Sequence, residues 1–321
     1  MAMPVQPLII GVDVSKATLA VCLSPDTPVQ SVDNTPQAIA RWLKALPPGP
    51  ACFAIEATNT FHLEILEQAH RAGHTPYLVD GYRLSRYRDS LGGRAKTDAT
   101  DAQLLQRYLS REQDHLRPWE PPPPGYTALQ QLLRRRATLV QARVALQQSL
   151  AGIPGLKRSC TALLRQLTRL DTLIQKRLQE ILAQLDWSAD SQRCQAIEGV
   201  GPLTAAALTM TFHRGRFRGA DAFIAFLGLD VRVRESGKMR GRRKLTKKGD
   251  PELRRLLYLA AMQASRSATW KAFYQRHLER GLSKIQAFVI LARKLARVAF
   301  ALLKNQSEYQ PKGCQEACVQ T

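Results

Sequence analysis

The run Pro118-Trp119-Glu120-Pro121-Pro122-Pro123-Pro124-Gly125 constrains this chain more than any other feature. Proline lacks an amide donor and fixes φ, so such a run stops any helix or central strand and leaves a stiff, extended connector. The 321 residues divide there, and the two sides differ in character. We expect residues 1–117 to form one domain, 118–190 the proline connector with a helical arm, and 191–321 a helical domain.

Before the prolines, strand-like and helix-like segments alternate. Leu8–Val14 and Thr18–Leu23 are apolar runs that read as a hairpin, with a third strand near Val29–Val32. Thr35-Pro36 supplies an N-cap and a first helical residue for a helix to about Leu46, stopped by Pro47-Pro48-Gly49-Pro50. Ala51–Ala57 returns as a strand, Phe61–Ala72 as a helix ended by Gly73, and Pro76–Val79 as a strand. This order predicts an α/β domain with a mixed sheet under helices. After the prolines, leucines recur at helical spacing from Tyr126 to about Leu150 and from Cys160 to Leu185. They predict a long helical hairpin broken at Gly152-Ile153-Pro154-Gly155, an arm suited to holding subunits together. Apolar stripes in Leu253–Ser265, Trp270–Glu279 and Lys284–Leu303 make the C-terminal half mostly α-helical.

Lys and Arg number 47 against 26 acids, a formal net charge of +21. A surplus of that size calls for a polyanionic partner, most often a nucleic acid, although a ribosome-associated protein would share it. Hydrophobic residues at 45% exclude wholesale disorder. No apolar stretch reaches bilayer length, and the opening Met-Ala-Met-Pro-Val-Gln-Pro lacks a basic leader, so no membrane partner is expected. Six scattered cysteines suit a reducing cytoplasm; only Cys314 and Cys318 are close, with no histidine near them.

Carboxylates in apolar strands are costly to bury unless they bind a cation or a partner. Asp13 lies in Ile10-Gly11-Val12-Asp13-Val14 and Glu56 ends Ala54-Ile55-Glu56. In Lys96-Thr97-Asp98-Ala99-Thr100-Asp101-Ala102, Thr97 suits an N-cap, and Asp98 and Asp101 share one helical face. That pair alone also reads as acids complementing a helix dipole. Together the four can hold two Mg²⁺ or Mn²⁺ ions for phosphodiester chemistry, and hard oxygens argue against zinc.

Two further segments point to nucleic acid. Ile197-Glu198-Gly199-Val200-Gly201-Pro202-Leu203-Thr204 resembles a helix-hairpin-helix turn, with Gly199, Gly201 and Thr204 offered to a phosphate; a plain helical turn fits too. From Arg232 to Lys248 the cations Arg232, Arg234, Lys238, Arg240, Arg242, Arg243, Lys244, Lys247 and Lys248 face one acid, Glu235. Glycines interrupt this run, which suits a loop around a phosphate backbone, with hydroxyls at Ser236 and Thr246. Cations around Ser236 would stabilise an alkoxide or a pentavalent phosphate.

The ordered set Gly-x-Asp-x-Ser-Lys, Glu-Ala-Thr, Lys-Thr-Asp-x-x-Asp-Ala, Gly-Val-Gly-Pro, Glu-Ser-Gly and Lys-Lys-Gly-x-Pro-x-Leu-Arg-Arg resembles the DEDD-type transposases of the one-hundred-and-ten family of insertion sequences, the bridge-RNA-guided recombinases. The resemblance implies a ribonuclease-H-like, resolvase-like first domain whose four acids are Asp13, Glu56, Asp98 and Asp101, with Ser236 as nucleophile. It implies double-stranded donor and target DNA joined through a phosphoserine and a junction intermediate, chosen by a structured non-coding guide RNA. It also implies a homo-oligomer, dimer or tetramer, in the bacterial cytoplasm at the nucleoid. Thr246 stands where relatives often carry serine. The rival readings are a metal-dependent nuclease using water, an actin-like sugar kinase and a non-catalytic nucleic-acid binder; the kinase lacks its second glycine-rich hairpin and leaves the charge unexplained.

Overall fold

The computed structural model describes residues 7–92, 97–232, 235–236, 239–240 and 243–311. The chain forms two compact units, Met1–Pro121 and Pro122–Thr321.

In the first unit, β1 (Leu8–Val14), β2 (Thr18–Cys22), β3 (Gln30–Asp33), β4 (Ala51–Glu56) and β5 (Thr75–Val79) form one sheet in the order β3-β2-β1-β4-β5. The β1–β2 and β2–β3 pairs are antiparallel, whereas β1–β4 and β4–β5 are parallel. Strand alternation divides β4 between two cores. Phe53 and Ile55 pack with Ile10, Val12 and Val14 of β1, Ile39 and Leu43 of α1 (Pro36–Lys44), and Ile65 and Leu66 of α2 (Leu63–Arg71). Cys52 and Ala54 face Leu84 of α3 (Gly81–Ser90) and Leu105, Tyr108 and Leu109 of α4 (Asp98–Glu112). Helices on both faces explain why the central strands read as continuous apolar runs.

Local signals fix the helix starts. Thr35 caps α1 by accepting from the Ala38 amide, and Thr97 with Thr100 forms a reciprocal capping box on α4. The helix α3 gave no periodic signal, because Leu84 is its sole buried residue. The break between units comes after Pro121 rather than before Pro118. Trp119 donates its amide to the Pro76 carbonyl at 2.7 Å and packs on the first core, so the connector's start belongs to that unit.

In the second unit, α5 (Tyr126–Ser149) and α6 (Lys157–Gln184) form the long hairpin, followed by α7 (Ser188–Gln195), α8 (Pro202–His213) and α9 (Ala220–Phe226). Next come four two-residue strands, β6 (Val231–Arg232), β7 (Glu235–Ser236), β8 (Met239–Arg240) and β9 (Lys244–Leu245). The chain closes with α10 (Pro251–Ala264), α11 (Ala268–Glu279) and α12 (Lys284–Asn305). Tyr126, Leu129 and Leu133 of α5 and Leu178, Ile181 and Leu182 of α6 share one core with Leu208, Phe223, Leu257, Leu291 and Phe300. The arm expected as a separate segment is therefore continuous at its base with the helices after it, and the division expected near residue 190 falls inside one core. Farther out, Val144, Ile153, Leu163, Leu170 and Leu173 are exposed. Among the described residues no helix is long and apolar enough to cross a membrane.

Candidate active site

Asp13 sits one residue from the end of β1, and Glu56 ends the adjacent parallel strand β4, so both carboxylates lie at the same edge of the sheet. The carboxyl ends of parallel strands are a usual place for a site. Gly11 brings in the other pair. A Cβ there would stand 2.0 Å from the Ala102 carbonyl oxygen and 2.5 Å from the Gln106 amide nitrogen, so α4 rests on the bare backbone of β1. Asp98 and Asp101 in the first turn of α4 are thereby carried toward Asp13. Glu56 in turn lies against Gly81, where a Cβ would come within 2.5 Å of its Oε1.

The electrostatics register this gathering. The Asp13 carboxyl is pushed up to about 6 by burial and then by the negative charges of Glu56, Asp101 and Asp98, against a hydrogen bond from the Val14 amide. The other three predicted acids thus all act on Asp13. Asp101 is buried at 5% exposure, and its Oδ1 accepts from Arg88 Nη2 at 2.6 Å, whereas Asp98 is exposed. Among the described residues no three His, Cys, Asp or Glu side chains converge closely enough to hold a metal as they stand. In donor type and charge the residues do fit a divalent cation: four hard oxygens, with mutual repulsion that a cation would relieve.

The second unit alters the reading of two expected phosphate contacts. Gly199 has φ +87°, and a Cβ on it would meet the Ala260 carbonyl oxygen and the Ala264 nitrogen at 2.5 Å each. It therefore lets the turn pack on α10. Thr204 is buried, with its hydroxyl donating to the Leu256 carbonyl at 3.5 Å, so its side chain serves the core. Gly201 remains exposed at the start of α8, which has no side-chain cap, leaving amides of its first turn without intrahelical partners. Beside this turn, Glu198 accepts from Thr269 Oγ1 at 2.6 Å, Trp270 Nε1 at 3.2 Å and the Tyr309 hydroxyl at 2.5 Å. Burial opposes its charge, but these hydrogen bonds prevail and hold the carboxyl below its usual range. Burial and the Glu198 contact raise the Tyr309 phenol.

The basic segment, expected as a loop, contains two short antiparallel ribbons. β6 pairs with β9, placing Arg232 directly opposite Lys244, and both are exposed. Like charges in that register repel. Thr246, expected to offer its hydroxyl to nucleic acid, instead donates it to the Asp230 carboxylate, while its amide donates to the Asp230 carbonyl at 3.0 Å. These bonds close the base of the segment. Arg243, Lys247 and Lys248 are exposed. β7 pairs with β8, setting Ser236 opposite Met239 and Glu235 opposite Arg240. The side chains of Ser236 and Arg240, and all of Arg234, Lys238, Arg242, Cys314 and Cys318, lie outside the described residues.

Sequence reasoning passed over Arg88, Gly81 and Asp230. Arg88 lies in a polar stretch without pattern, and only the folded contacts reveal its partner.

Residues 10–153 match the profile of the DEDD transposases of IS110 type, and residues 191–275 match that of the transposase IS116/IS110/IS902 family. The chain is 28% identical over 300 residues to a probable family 20 transposase of Pseudomonas aeruginosa, covering 82% of this chain and 86% of the relative. It is 25% identical to a pilin gene-inverting protein of Moraxella bovis, over 94% of this chain and 98% of that one. It is 28% identical to the transposase for insertion sequence element IS1111A of Coxiella burnetii, over 67% and 68% respectively. With one family matched in order along both units, the chain belongs to the IS110 family of transposases.

Proposed function

We propose that this transposase is an RNA-guided DNA recombinase that cleaves and rejoins strands through a phosphoserine formed on Ser236, with Mg²⁺ or Mn²⁺ held by Asp13, Glu56, Asp98 and Asp101. The observation that carries the reading is the placement of Asp13 and Glu56 at the ends of adjacent parallel strands, with α4 packed on Gly11 of β1 and its two acids near enough to act on Asp13. The β3-β2-β1-β4-β5 order, antiparallel then parallel, supports a ribonuclease-H-like first domain. A relative named for pilin gene inversion supports recombination over plain hydrolysis.

In the proposed step the Ser236 oxygen bonds to phosphorus as the bond from phosphorus to one deoxyribose oxygen breaks. The hydroxyl proton leaves the serine, and the freed deoxyribose oxygen takes up a proton. Attack by a deoxyribose hydroxyl of another strand on the phosphoserine reverses these events and restores the serine. The cation would supply Lewis acidity and neutralise phosphate charge. Arg232, Lys244, Lys247 and Lys248 provide exposed cations for phosphate backbones. Sequence choice left to base pairing with a structured non-coding RNA needs no base-reading code in the protein. The exposed leucines of the hairpin suit assembly into a homo-oligomer on donor and target DNA.

The test incubates full-length protein with Mg²⁺, cognate RNA and labelled duplex DNA, and looks for a denaturant-resistant protein–DNA adduct. We expect an adduct that Ser236→Ala and Asp98→Ala both abolish. Cleavage that persists in Ser236→Ala without any adduct would make the protein a hydrolytic nuclease.

A further inference from the structure

We infer that Arg88 is an internal counter-cation of the carboxylate site: it holds Asp101 while no metal is bound and competes with the divalent cation for that carboxylate. The inference rests on the metal reading above and concerns a residue that the reading does not use.

The Arg88–Asp101 pair is unlike the exposed ion pairs elsewhere on the first unit. Its side chains are 17% and 7% exposed at 2.6 Å, whereas Arg71–Glu67 at 2.8 Å is 71% and 41% exposed. An ion pair so shielded is fixed in place and little screened. The two residues come from different helices: Arg88 lies in the last turn of α3, and Asp101 in the first turn of α4. The helix α3 is placed for this, since it starts at Gly81 against Glu56 and ends with Arg88 on Asp101. It therefore touches two of the four acids.

One consequence accounts for an otherwise awkward observation. Three carboxylates act on Asp13, yet among the described residues no three acids stand close enough to hold a metal. A guanidinium bonded to Asp101 satisfies the most buried of the four and lowers its need to turn toward Asp13. A metal ion that recruits Asp101 must loosen that contact, so each cation weakens the hold of the other, reciprocally. Arg88 thus acts as a positioning residue, and the strength of its pairing sets how much Mg²⁺ or Mn²⁺ the site needs.

The experiment titrates Mn²⁺ into full-length protein, reading free Mn²⁺ by electron paramagnetic resonance and melting temperature in parallel, without DNA. Arg88→Gln is expected to bind Mn²⁺ about tenfold more tightly than wild type. It should melt lower than wild type without metal and recover most of that difference at saturating Mn²⁺. Asp13→Asn, run alongside, is expected to lose the binding. Binding that depends on Asp13 yet is equal or weaker in Arg88→Gln overturns the inference alone. Absence of Asp13-dependent binding in both proteins overturns the metal reading and the inference with it. Should Arg88→Gln not fold, Arg88→Lys decides. Its shorter ammonium grips Asp101 less well, so affinity should rise about threefold, and equal or weaker binding overturns the proposal.

Discussion

Gly11→Ala tests the packing on which the carboxylate site depends. The new methyl would lie 2.0 Å from the Ala102 carbonyl oxygen, and ordinary contact begins near 3.4 Å, so α4 must retreat by about 1.4 Å. Neither obstacle is a flexible side-chain tip; the nearest two atoms are helix backbone. The retreat loosens Ala102, Leu105 and Leu109, the fully buried residues of α4 itself. Overpacking of this kind costs about 1–3 kcal/mol, which in a unit of this size lowers the melting temperature by roughly 5–15 °C. Differential scanning calorimetry of the full chain reads it, with the two units allowed separate transitions. Gly73→Ala is the comparison: Gly73 has φ +82° and nothing within 4 Å, so it should lose only about 1 kcal/mol of stability, to backbone strain. Because α4 carries Asp98 and Asp101, Gly11→Ala should also weaken Mn²⁺ binding, and a misplacement of about 1 Å can cost roughly a hundredfold in strand cleavage. A Gly11→Ala protein that melts no lower than Gly73→Ala and binds Mn²⁺ as wild type would refute the argument that direct backbone contact sets the site.

Other outcomes follow from the same contacts. Asp13 has a folded value near 6 against 3.8 unfolded. A raised group lends stability that is complete below the unfolded value and is lost as pH rises through the folded one. Metal-free wild type should therefore lose stability between about pH 4 and 7 relative to Asp13→Asn. Discounted for partial exposure, that variant should be more stable at pH 7.5 by about 1–2 kcal/mol while inactive in cleavage, checked by denaturant titration across pH. Arg232→Gln with Lys244→Gln removes two exposed cations that repel across β6 and β9. DNA affinity should fall and the slope of log affinity against log salt shrink by roughly 1–2, with fold stability unchanged or slightly higher, measured by fluorescence anisotropy. Thr246→Val should break the clasp to Asp230 and reduce adduct formation by about tenfold, while Thr246→Ser restores it, judged at saturating DNA so that binding loss is not the cause.

Much of this architecture was legible because the governing physics is local. The Thr35-Pro36 and Thr97 caps, the apolar strands and the proline stretch each leave a signature within a few residues. The four acids stood out for the same reason, as charges placed in apolar strands or in one helical turn. What the sequence hid depends on contacts between distant segments. α3 buries one leucine and so has no periodicity, and Arg88 gains meaning only opposite Asp101. Gly199 and Thr204 looked like phosphate contacts in a glycine turn. Their surroundings, supplied by α10 more than fifty residues later, turn one toward a neighbouring backbone and the other inward. The basic run was read from composition as a loop, because two-residue strands carry too little pattern to be seen.

The clamp on Glu198 gives the segment after α12 an influence on the chain's middle. Tyr309 follows α12 and fastens to the residue just before Gly199, at the entrance to α8. A shortened version ending at Gln306 would keep every described helix yet remove one of the three donors that hold the Glu198 carboxylate at the entrance to α8. Tags and fusion partners are therefore better attached after Tyr309 than in its place. Trimming that looks harmless by helix boundaries would loosen a charge that the intact chain keeps fixed.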